Sequence, residues 1–157
     1  MATTVGIIRT LKNMLEMFAR EKDFKLPAGK NKLEYPSIYK YFFPLKADKE
    51  KKNNPYIVIA FGEEEQSLWE TTDESNLKVN LIIGICADDE DLEENIEILM
   101  AELEKIELFL KDNSILDGAT TLKKIKKVVP KEQPIPYLEG SIMLEYDYYK
   151  PILVEEP

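Results

Sequence analysis

Between residues 88 and 113 the chain reads DDEDLEENIEILMAELEKIELFLKDN, and Leu92, Ile96, Leu99, Leu103, Ile106 and Leu110 recur at alternating steps of four and three. That period puts all six on one stripe of an α-helix, with acids and lysines around the rest of its circumference. A helix of about 22 residues is a rod of about 33 Å. Asp88 or Asp89 is placed to cap it, and the acids of its first turn lie where the helix dipole favours negative charge. Such a rod must lay its stripe on a second apolar surface to be stable.

Strands supply that surface. LKVNLIIGICA (77–87) alternates, with Leu77, Val79, Leu81, Ile83 and Ile85 on one side and Lys78 and Asn80 on the other. PYIVIAF (55–61) is a continuous β-branched and aromatic run from Pro55 to the stop at Gly62, the pattern of a strand buried on both faces. SIMLEYDYY (141–149) alternates Ile142, Leu144, Tyr146 and Tyr148. ILDGATTLKKIKKVVP (115–130) opens on an Asp-Gly turn. Its apolar residues do not alternate, so a helix and a bulged strand both fit. Thr120, Thr121 and the pair Val128 and Val129 favour the strand.

Residues 4–20 form a second amphipathic stripe, Val5, Ile8, Leu11, Leu15 and Phe18 with Met14 beside it, capped by Thr3 or Thr4. Residues 22–34 read as loop. LEYPSIYKYFFP (33–44) reads as an edge strand or a packed loop. A lysine-rich loop projects near 45–54, GEEEQSLWETTDESN (62–76) reads as an acidic loop, and 150–157 as a loose tail. The expectation is a single domain over 1–157. Its fold class is α+β: a small mixed, largely antiparallel sheet with an N-terminal helix and one long helix packed on it.

Composition limits the chemistry. Histidine is absent and Cys86 is the only cysteine, which removes the usual general base, disulfides, and zinc sites built on several such ligands. Cys86 lies in an apolar run and reads as a buried, inert thiol. The acids Asp88, Asp89, Glu90, Asp91, Glu93 and Glu94 lack the alternating spacing and central glycine of a calcium loop, and read as a solvated helix start. The six glycines are scattered and form no phosphate loop. No catalytic residue, cofactor or metal is expected. No apolar run reaches membrane-span length and the first residues lack a signal-peptide pattern, so residence in a cytoplasm is expected. Lys123, Lys124, Lys126 and Lys127 read as the solvated face of an edge strand, where lysine also blocks unwanted pairing. A net charge of −9 argues against a dedicated nucleic-acid binder. Acids fill 62–76 and 88–107 while lysines fill 46–52 and 123–131, a separation suited to packing against copies of the same chain.

The order of the short motifs resembles the tail terminator, or tail-completion, proteins of long-tailed bacteriophages and prophages. The residues that carry the resemblance are VGIIRTLKNML, then YKYFFPLK, a charged spacer and NPYIVIAF, an acidic variable segment, VNLIIGICADDED, NIEILMAELEKIELFL, NSILDGATTL and the closing EQPIPYLEGSIMLEYDY. They span nearly the whole chain. Two positions depart from the family pattern: Ala60 stands where arginine is frequent, and Leu138 where tryptophan is frequent. The resemblance implies a structural virion protein at the head-proximal end of the tail. It implies a homomeric ring, usually a hexamer, that caps the tail tube, ends its polymerisation and offers a surface for head joining. Its partners are then its own copies, the tail tube protein and the head connector, with DNA only as passing cargo and no membrane. A head-side neck protein and a non-viral adaptor or binding domain are the alternatives. On the ring reading, Tyr39, Phe42, Phe43 and Trp69 serve as aromatic anchors between subunits or to the tube, with Lys123, Lys124, Lys126 and Lys127 as charged contacts. Glu63, Glu64, Glu65, Glu70, Asp73 and Glu74 line the lumen or its rim.

Overall fold

The computed structural model describes residues 3–29, 32–43, 54–66, 74–87, 91–116 and 119–149. In chain order the elements are α1 (Thr4–Glu21), β1 (Leu26–Pro27), β2 (Leu33–Glu34), β3 (Ser37–Lys40), β4 (Tyr56–Gln66) and β5 (Glu74–Cys86), followed by α2 (Leu92–Asp112), β6 (Ile115–Leu116), β7 (Thr120–Val128) and β8 (Tyr137–Tyr149). The main sheet has six strands in the order β3-β4-β5-β8-β7-β6, while β1 and β2 form a separate pair. Every pairing in the main sheet is antiparallel except β3 with β4. The fold is α+β, as the sequence pattern predicts.

The alternating strands put Leu77, Val79, Leu81, Ile83 and Ile85 of β5, and Leu138, Ile142, Leu144, Tyr146 and Tyr148 of β8, on one face. The buried residues of both helices join these in a single core. Leu103 of α2 sits so close above Gly140 that a Cβ there would lie 2.7 Å from its Cδ1. The glycine lets the rod come down onto the middle of the sheet.

Several boundaries differ from the sequence reading. The buried stripe of α2 is Asn95, Leu99, Leu103, Ile106 and Leu110. Leu92 is 42% exposed and Ile96 is only half-buried, so burial begins one turn later than the heptad-like spacing implies. The cap is Asp91, whose side chain accepts a hydrogen bond from the Glu94 amide at 3.1 Å; Asp88 and Asp89 lie outside the described residues. In α1 the stripe is Ile7, Ile8, Leu11, Leu15 and Ala19, capped by Thr3, and Val5 faces outward. Residues 22–34 are not simply loop. They hold β1 and β2, and Ala28 bridges to Cys86.

The acidic segment 62–76 is the larger correction. Where it is described it is strand, not loop. β4 continues to Gln66 and β5 begins at Glu74, so the two make a long hairpin with residues 67–73 outside the described set. The strand does not stop at Gly62. It passes through a bulge between Phe61 and Glu63, where a Cβ on Gly62 would lie 2.7 Å from the Lys78 carbonyl oxygen. Glycine here permits a close backbone approach rather than a strand end. β7 also carries a bulge, between Leu122 and Lys124, which explains why its apolar residues fail to alternate. The projecting loop near 45–54 falls outside the described residues except for Asn54, and the tail 150–157 falls wholly outside them.

Leu99→Ala is expected to destabilise the fold by about 2–5 kcal/mol, as for a fully buried leucine. Leu92→Ala, on the same sequence stripe, is expected to cost less than about 1 kcal/mol because that side chain already meets water. Denaturant unfolding of the two variants checks the difference.

Candidate assembly surface

Both described helices pack on one face of the sheet, and among the described residues no helix covers the other. Register places Tyr137 with Cys86 at one end of that face, then Tyr56, Gly84 and Glu139, then Val58, Ile82, Ser141 and Val128. Ala60, Asn80, Met143 and Lys126 follow, and beyond the two bulges come Glu63, Lys78, Glu145 and Lys124. The far end carries Glu65, Asn76 and Asp147, then Glu74 beside Tyr149. The face thus grades from aromatic, through apolar, to charged.

The aromatic end is packed within the chain. Tyr39, Phe43, Tyr56 and Tyr137 form a line of rings with successive centroids 5.5, 4.8 and 5.5 Å apart. Gly84 makes room for it: a Cβ there would fall inside the Tyr56 ring. The Tyr56 hydroxyl donates to Glu139. Burial, and then that carboxylate, push the Tyr56 phenol well above its ordinary pKa. Of the expected anchors, Tyr39 and Phe43 belong to this line, with Phe43 still 41% exposed, whereas Phe42 is 81% exposed. Trp69 lies outside the described residues, as do Glu70 and Asp73.

The acids expected to act together are divided by the hairpin's alternation. Glu63 forms an ion pair with Lys78 at 2.8 Å. Glu64 points to the helix side, where Thr4 Oγ1 donates to one carboxylate oxygen at 2.7 Å and the Tyr148 hydroxyl donates to the other at 2.6 Å. It ties the hairpin to the start of α1 and is not placed to line a pore. Glu65 and Glu74 are exposed and make no ion pair among the described residues. Further along, the Asn76 amide donates to both Glu145 and Asp147, each at 2.8 Å.

The lysines divide as well. Lys123, Lys124 and Lys126 are exposed along β7, whose outer edge beyond Thr121 has no partner strand among the described residues. Lys127 faces α2 and meets Glu107 at 3.0 Å and Glu104 at 3.7 Å. Hydrogen bonds from Lys111 and Lys127 hold the Glu107 carboxyl below its ordinary range. One of the four lysines therefore neutralises the acidic helix of its own chain, and the sign separation seen along the sequence is partly internal.

Hollows among the described residues lie on the helix side. One of about 440 Å³ runs between the end of α1 and α2, over Phe18, Phe24 and Phe109, with Phe18 and Phe109 stacked at 4.5 Å. A second, of about 400 Å³, lies between α1 and the segment Tyr35–Ile38. A third, of about 260 Å³, gathers Arg9, Lys12, Asn13, Glu16 and Lys40. Sequence reading missed it because α1 and β3 are joined only in the fold. Among the described residues no group of three or more Cys, Asp or Glu side chains is placed to hold a metal ion, and no helix is long and apolar enough to cross a membrane.

No protein-family profile and no curated protein sequence matches this chain.

Three buried tyrosines make a further test. Burial raises the Tyr146 phenol, whose hydroxyl has no hydrogen-bond partner among the described residues. Burial, with the bond to Glu64, pushes Tyr148 up to about 12. A tyrosine that keeps its proton in the folded state while the unfolded chain has lost it at about 10 makes the native state bind more protons. Stability is therefore fully present below pH about 10 and falls as pH rises from there towards 12. In an absorbance titration at tyrosinate wavelengths, Tyr56, Tyr146 and Tyr148 are expected to ionise only as circular dichroism reports loss of the sheet.

Proposed function

We propose that this chain is a structural subunit that assembles with its own copies into a ring, and that the ring caps a phage tail tube in the manner of the tail terminator proteins its motif order resembles. The observation that carries the proposal is the one-sided cover of the sheet. A domain that packs both described helices on one face leaves Met143 exposed and Ile82 half-buried in the middle of the other, beside outer edges at β3 and β7 that lack partner strands among the described residues. Sheet faces and edges of this kind are common sites of protein association. Phe42, the most exposed large apolar side chain described, stands just after edge strand β3 and gives the assembly an aromatic anchor. On this reading the charged stretch of the open face on β8, with Glu145 and Asp147, borders the path of DNA and disfavours phosphate binding there.

The hollow over Phe18, Phe24 and Phe109 supports a second reading, a monomeric binding domain whose ligand has an apolar body. Solution mass separates the two. Sedimentation of the full chain is expected to show a closed oligomer near six subunits, and addition to polymerising tail tube protein is expected to stop tube growth. Phe42→Ala is expected to weaken association at least tenfold, about 1.4 kcal/mol, with the thermal midpoint unchanged. A chain that stays monomeric at high concentration and fails to bind tubes overturns the ring.

A further inference from the structure

We propose that the hollow lined by Arg9, Lys12, Asn13, Glu16 and Lys40 is a carboxylate-binding socket, and that its occupants are the carboxylates of Glu65 on β4 and Glu74 on β5 of a second copy of this chain. The inference rests on the self-assembly reading above and names the contact through which the copies meet.

The hollow is a concentration of positive charge on an acidic protein. It holds three cations and one acid, and that acid, Glu16, lies 3.7 Å from Lys12. Arg9 and Lys40 make no ion pair among the described residues. The chain has only two arginines, Arg9 and Arg20, and both are exposed on α1. Arginine carries a planar fork of donors that matches a carboxylate with two parallel hydrogen bonds, and the Asn13 amide adds a neutral donor. The lysines of β7 are a weaker socket. They are point charges spread along an edge, Lys124 already stands opposite Glu145, and Lys127 is engaged by α2.

The socket also has apolar borders. Val5, Arg9, Asn13 and Met17 follow one another at steps of four, so they lie in one row along the outer side of α1. Val5 is 46% and Met17 58% exposed. The row thus reads apolar, cationic, amide, apolar.

The complementary patch lies at the far end of the open face. Glu65 and Glu74 are exposed and make no ion pair among the described residues, and Tyr149, cross-strand from Glu74, is 58% exposed. Two acids beside an aromatic ring match two cations beside Val5 and Met17. Socket and patch lie on different elements and opposite sides of the sheet, so their contact is head-to-tail, the type that closes into a ring. Charge favours this pairing, because copies that each carry −9 repel over most of their surfaces and a contact that sets cations of one against acids of the next offsets that repulsion.

Charge reversal with rescue tests it in the full chain by sedimentation velocity. Arg9→Glu with Lys40→Glu is expected to weaken association at least a hundredfold, and Glu65→Arg with Glu74→Arg to do the same. All four changes in one chain are expected to restore association to within tenfold of wild type. The milder pair Arg9→Ala and Lys40→Ala gives the same direction if reversal lowers the thermal midpoint. Reversed sockets that assemble like wild type overturn the inference and leave the ring standing. A four-fold variant that stays dissociated overturns the pairing of these two patches. A wild-type chain that is monomeric at every concentration overturns the socket, and one that also fails to bind tail tubes overturns the ring as well.

Discussion

The rest of the structure depends on the pairing of β5 with β8. The two strands are hydrogen-bonded along their whole length, from Glu74 opposite Tyr149 to Cys86 opposite Tyr137, with no shift of register. Each strand also carries a neighbour on its other side, β4 on β5 and β7 on β8. A slip of one residue would turn Leu77, Val79, Leu81, Ile83 and Ile85 away from the core together with their partners on β8. The pairing is long in sequence as well as in space, since α2 and β7 intervene. Closing that loop costs entropy before any burial offsets it.

That pairing also creates the asymmetry on which the functional reading rests. One face of β5 and β8 is apolar at every alternate residue and takes both helices. The other face mixes glycine, serine, asparagine, lysine and acids with a few apolar side chains, and neither described helix packs on it. Its buried end is protected by side chains of the sheet itself. The line Tyr39, Phe43, Tyr56 and Tyr137 lies across the strands above Gly84, so Tyr56 and Cys86 are buried without a second layer of helices. The bulges at Gly62 and between Leu122 and Lys124 interrupt the register where the face changes from apolar to charged.

Charge is distributed by the fold differently from its distribution along the chain. The acids of α2 are answered in part by Lys105, Lys111 and Lys127, and the acids of the hairpin by Lys78, Thr4 and Tyr148. Exposed pairs of this kind contribute little to stability individually, in the range of about 0–1 kcal/mol. Their effect is to remove most of the matched charge from the list of available contacts. Cations without an ion pair among the described residues include Arg9 and Lys40 on the helix side, Arg20 and Lys22 at the end of α1, and the exposed lysines of β7, while Glu65 and Glu74 are such acids at one end of the open face. Specificity between copies then depends on which of these the fold sets side by side.

Much of this was legible in the residues. The steps of three and four identified α1 and α2, the steps of two identified β5 and β8, and the absence of histidine limited the chemistry before any coordinates. Local spacing suffices there because the period of a helix or strand is a local property. It failed for GEEEQ, an acid-rich stretch with no apolar alternation that reads as loop but continues the pairing of β4 with β5. It failed for Leu92 and Val5, because which part of an apolar stripe is covered depends on where the sheet ends. The division of Glu63 from Glu64, the internal use of Lys127, and the meeting of Arg9 with Lys40 all join residues from different elements. The sequence by itself determined the elements and the side each presents to the core. Only the tertiary structure decided which charges are matched and which face stays open, because both depend on register and packing between segments distant along the chain.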